Sequence, residues 1–103
     1  MTDHLAHFRR DYTPPFLSYL VREDEAGLRA AYELGRAAMS RGVGLMGLVT
    51  VHNEVFLDVL SAERTVESAT QVARAACAFL VEALASFEMT QRGFMDGARV
   101  ENH

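Results

Sequence analysis

The chain has 103 residues, enough for one domain, with 50% hydrophobic and 23% charged residues and only two prolines, which argues against intrinsic disorder. One cysteine forms no internal disulfide and no cysteine zinc site, no apolar run approaches a membrane span, and Met1-Thr2-Asp3-His4 does not open a signal peptide. Fourteen acids against ten bases give a charge of −4, all ten bases are arginine, and no basic block exceeds Arg9-Arg10, so the footprint of a nucleic-acid binder is missing. A cytoplasmic protein is the expectation.

Residues 1–14 read as a polar N-terminal arm, with Leu5 and Phe8 on one face of a short turn. Pro14-Pro15 punctuates the chain, and Pro15 suits the first turn of a helix from about Pro15 to Arg22. Asp24 is a candidate N-cap for a second helix, with Glu23 and Glu25 at its positive end. Leu28, Ala31, Tyr32, Gly35 and Met39 follow at helical spacing, and Gly42 is the natural stop.

Leu48-Val49-Thr50-Val51 is β-branched enough for a strand. Yet Leu45, Leu48, Val49, His52, Val55, Phe56, Val59 and Leu60 repeat at three- and four-residue steps, which predicts a helix from about Leu45 to Ala62. The fourth and longest helix is expected from near Glu63 to about Phe94. Between Val72 and Ala85 only Arg74 and Glu82 are charged, so this helix is apolar nearly all round. A small four-helix domain has no fully enclosed helix, so the second apolar face implies a homodimer seam. Ala75, Ala78 and Ala85 would permit close approach, and Glu82 would face Arg74 of a neighbouring chain or solvent. Alanines that merely favour helix formation are the plainer explanation. The fold class is all-α: a dimeric four-helix domain over residues 15–97 with a long C-terminal helix and a tail at 98–103.

Little in the chain offers chemistry. His52, in step with Leu48, Val49 and Val55, has the placement of a phosphoryl carrier in a helical bundle, but a semi-buried, hydrogen-bonded histidine fits equally and is the commoner case. His4 and His7 with Asp3 could hold a metal, although a solvated terminus is the simpler account, and His103 is uninformative. Glu82 and Glu88 are six residues apart and fall on different faces. Cys77 between two alanines reads as an inert core thiol. Gly42-Val43-Gly44-Leu45-Met46-Gly47 lacks the lysine and preceding strand of a phosphate loop. Phe87, Met89, Phe94 and Met95 read as packing. Tyr32, Met39, Met46 and Phe56 could line a sensory pocket between helices. No nucleophile–base pair and no cofactor cradle is visible, so the expectation is a non-enzyme without a cofactor.

Three stretches carry a family resemblance. They are Tyr19-Leu20 with Leu28 and Tyr32-Glu33-Leu34-Gly35-Arg36, then Leu48 to Val55 around His52, and then Phe79 to Phe94. Over about Phe16 to Phe94 the chain resembles the N-terminal domain of RsbU-type phosphatases, regulators of the bacterial general stress response. The resemblance implies a dimeric all-α domain that receives a small switch kinase of the RsbT type in partner switching. In the family that contact activates a C-terminal metal-dependent phosphatase domain, whose activity is not carried over. Positions corresponding to the partner surface are Glu25 and Arg29 on the second helix and Val81 and Ala85 on the fourth. The chain ends at Val100-Glu101-Asn102-His103 without a phosphatase domain, so a stand-alone adaptor or an excised piece is expected.

Overall fold

The computed structural model describes residues 2–101, with side chains over residues 4–93 and at Met95. Four helices make up the fold: α1 (Thr2–Arg22), α2 (Glu25–Ser40), α3 (Gly44–Leu60) and α4 (Val66–Glu101). Among the described residues there is no strand, so Leu48-Val49-Thr50-Val51 is helical as its wider periodicity predicts.

Helix α1 is the largest departure from expectation. It does not begin at Pro15 but runs through both prolines from Thr2, so the expected polar arm is helical from Thr2 onward. Each proline removes one intrahelical hydrogen bond, a cost of about 3 kcal/mol in a helix interior. What holds the helix across this point is an aromatic stripe. Phe8, Tyr12, Phe16 and Tyr19 recur at four-, four- and three-residue steps, and all are buried. Phe8, Tyr12 and Phe16 stand in a row with ring centroids 5.8 and 5.7 Å apart. Phe79 of α4 meets Tyr12 edge-on at 5.4 Å and Phe16 at 5.2 Å, which seats α4 on the stripe.

Glu23 ends α1 in a left-handed conformation, with φ at 47°. Asp24 then caps α2 as expected, its carboxylate accepting from the Gly27 backbone N–H at 2.9 Å. Gly42, with φ at 74°, turns the chain after α2. Thr65 supplies the cap of α4, its hydroxyl oxygen accepting from the Ser68 N–H at 3.0 Å. This cap places the start of α4 at Val66, three residues beyond the expected Glu63, and its other end runs past Phe94.

Helix α2 returns antiparallel to α1. At their shared end the His4 ring donates from Nε2 to the Arg41 carbonyl at 2.7 Å, and Arg41 pairs with Asp11 at 2.9 Å. Helix α4 runs the same way as α2, since Glu82 lies beside Glu25–Glu33 and Thr90 beside Glu33–Ser40. Arg9 ties α1 to α3 through Glu54 at 2.7 Å and Asp58 at 3.6 Å. Helices α2 and α4 come close together at Gly35, where Ala83 and Ser86 leave no room for a side chain. There Ser86 donates its hydroxyl to the Tyr32 carbonyl.

Helix α4 packs against all three other helices. Its inner side buries Ala75, Ala76, Phe79, Ala83, Ser86 and Phe87. Part of its apolar character is therefore explained within one chain, while its outer side stays exposed, so no full enclosure of the helix is needed.

Candidate interaction face on helices 2 and 4

An α-helix turns about 100° per residue, so the core positions of α4 fix which residues face out. Arg74, Cys77, Ala78, Val81, Ala85, Glu88 and Met89 are exposed. Val81 is 63% exposed and Met89 59%. Ala78, Val81 and Ala85 follow one another at three- and four-residue steps and form a shallow apolar strip, with Arg74, Glu88 and Arg92 around it. Beside this strip, Glu25, Leu28, Arg29, Tyr32 and Glu33 of α2 and Glu82 of α4 line an open groove of about 480 Å³. Leu28 and Tyr32 are half-buried and Glu25, Arg29 and Glu33 are exposed.

The structure thus brings together most of the residues singled out from sequence. Glu25 and Arg29 share the groove with Glu82, and Val81 and Ala85 stand on the adjoining face of α4. Ala78 lies on that same face. Ala75 does not: it is 1% exposed and points into the core, so its assignment to a dimer seam is corrected. The reason is rotational, because Ala75, Phe79 and Ser86 lie on one side of the helix and Ala78, Val81 and Ala85 on the other. The same rotation turns Cys77 outward, so the expected core thiol is an exposed one.

Leu28 and Glu33 complete the groove without a site role expected from sequence, and Tyr32, expected in a sensory pocket, lines this groove instead. Leu28 and Tyr32 carry the i, i+4 spacing of a core face, and nothing in that pattern tells a half-open groove from a closed core.

His52 sits inside the bundle, 3% exposed. Its Nδ1 lies 2.7 Å from the Tyr12 hydroxyl, which donates to it in the tautomer with the ring proton on Nε2. Phe16 stands edge-on to the ring at 5.0 Å and Phe56 stacks on it at 6.0 Å. Burial pushes the imidazole down to about 4, so it is neutral at pH 7. Burial also raises the Tyr12 hydroxyl well above the usual range. A phosphoryl carrier must present its ring to a donor protein, and His52 does not, which removes the phosphotransfer reading.

The remaining sequence candidates are dispersed. His4 is engaged by the Arg41 carbonyl, and no group of three His, Cys, Asp or Glu is placed to hold a metal among the described residues. The Asp3 side chain, the Phe94 side chain and His103 lie outside the described residues. Glu88 pairs with Arg92 at 2.7 Å while Glu82 lines the groove. Of the expected packing set Phe87 is buried, but Met89 and Met95 are 59% and 58% exposed. Met46 is 76% exposed and Tyr32 lines the α2/α4 groove, so Tyr32, Met39, Met46 and Phe56 do not enclose one sensory pocket.

The family model described as the N-terminal domain of the phosphoserine phosphatase RsbU matches residues 10–90. The chain belongs to that family. No curated protein and no solved structure matches it. The match begins in α1, takes in α2 and α3 whole and ends at Thr90 on α4, so it covers the interaction face and the His52 cluster alike. The RsbU N-terminal domain is a regulatory domain, distinct from the catalytic phosphatase domain. No helix among the described residues is long and apolar enough to cross a membrane.

Proposed function

We propose that this RsbU N-terminal domain is a non-enzymatic, cytoplasmic interaction module of bacterial stress signalling, which receives a switch kinase of the RsbT type on the α2/α4 face. The observation that carries this reading is the exposed apolar strip of Ala78, Val81 and Ala85 running beside the groove of Glu25, Leu28, Arg29 and Tyr32. A contiguous apolar strip beside an open groove is a candidate contact site. Membership of a regulatory family supports a protein as the occupant.

Val81→Asp tests the reading. It places a charge at an exposed position, so the fold is expected to stay intact by circular dichroism. Desolvating that charge against a partner costs several kcal/mol, so affinity for an RsbT-type kinase should fall about 100-fold or more by calorimetric titration. Unchanged affinity would remove the face from consideration.

A second copy of the chain is the other occupant with support, because Ala78 and Ala85 would let two α4 helices come close. Under this homodimer reading Glu82 sits at the margin of the seam and Cys77 within reach of its symmetry mate. Mild oxidation is then expected to give a disulfide-linked dimer on a non-reducing gel, since a bridge needs Cα atoms within about 7 Å. A monomer band under conditions where light scattering shows a dimer would place the seam elsewhere.

A further inference from the structure

We infer that the segment of the partner seated in the α2/α4 groove carries a basic side chain beside an apolar anchor. This rests on the assignment of the face to a kinase contact and adds the chemistry that contact requires. Glu25, Glu33 and Glu82 bring three carboxylates to one groove, against a single guanidinium, Arg29. No side chain of the four has an ion-pair or hydrogen-bond partner among the described residues, a state they share with other exposed charges such as Arg36, Arg64 and Glu67, so what sets them apart is their convergence on one groove.

The floor between these charges is Leu28 and Tyr32, both half-buried. An apolar anchor fits there and against Val81. A cation beside it gains from the carboxylates. An acidic partner would meet three like charges as the groove lost its water. Complementary charge at the rim acts mainly on association rate and on salt dependence, which gives the inference its own signature.

Wild type, the double variant Glu33→Gln/Glu82→Gln and Val81→Asp would each be titrated with an RsbT-type kinase at about 0.05 M and about 0.5 M salt. Wild-type affinity is expected to drop about tenfold or more between the two conditions, and the double variant to bind about tenfold more weakly at low salt with little further loss. If the double variant keeps wild-type affinity and salt dependence while Val81→Asp loses binding, the basic side chain is excluded and the docking face survives. If Val81→Asp binds normally, the docking face fails and the inference with it. A third result would also overturn the inference: the double variant lowering self-association of the chain alone. That would show the carboxylates receiving Arg74 of a second copy.

Discussion

Replacing Gly35 with alanine is expected to destabilise the domain by about 2 kcal/mol and lower its melting temperature by roughly 10 °C. In an ordinary helix interior the same change stabilises by about 1 kcal/mol, because alanine restricts the unfolded chain and glycine does not. Gly35 reverses the sign by position. A Cβ there would fall 2.9 Å from Ser86 Cβ and 3.0 Å from the Ala83 carbonyl carbon, and closer still to the carbonyl oxygen. Two of those atoms are backbone and cannot rotate away, so α2 and α4 must separate. Separation also stretches the bond from the Ser86 hydroxyl to the Tyr32 carbonyl. Gly35→Leu goes further, with no folded state at 37 °C expected. Thermal denaturation followed by circular dichroism decides the matter, and a Gly35→Ala variant as stable as wild type would mean that α2 and α4 do not meet at this distance. The same contact sets the spacing across which Leu28 and Tyr32 face Glu82, so Gly35→Ala should weaken partner binding even where it folds.

The helices of this protein are legible in its sequence wherever periodicity and caps agree. Asp24 and Gly42 mark the two ends of α2 by local chemistry alone, and the four-turn pattern from Leu45 to Leu60 outweighs a β-branched run of four residues. The start of helix α1 is not legible locally, because Pro14-Pro15 is a strong local stop signal and the force that overrides it is long-range. Tyr12 and Phe16 are held by Phe79 and His52, which stand far along the chain. The signal present in the sequence is the i, i+4 spacing of Phe8, Tyr12 and Phe16, which continues across the prolines. On α4 the residue types were informative but the rotation was not. Alanines, a cysteine and a valine surround the helix, and only the three helices packed against it distinguish Ala75, which is buried, from Cys77 and Ala78, which are exposed. The groove was half legible: its charged members stand out on α2, while Leu28 and Tyr32 look like any core pair.

Acid is expected to unfold this protein partly through His52. The ordinary imidazole takes a proton near 6.5, but in the folded chain burial holds the value to about 4. Between those two values the unfolded state binds more protons than the native state. Stability therefore falls as pH drops from about 7 to about 4, and this contribution levels off below that. The full difference corresponds to about 3 kcal/mol, a large share of the 5–15 kcal/mol typical of a domain. The remedy for the buried pair is to remove both members. Tyr12→Phe alone leaves Nδ1 buried without its donor and should cost about 1–3 kcal/mol at pH 7. Tyr12→Phe with His52→Leu replaces the pair by apolar groups of similar size, which is close to neutral at pH 7. Urea denaturation at pH 7 and pH 4.5 should then show a shallower loss in the double variant than in wild type. Equal slopes would mean that His52 is not buried as a neutral ring. Because His52 lies behind Tyr12 and Phe16 rather than on the α2/α4 face, its protonation should act on folding and not directly on the partner surface.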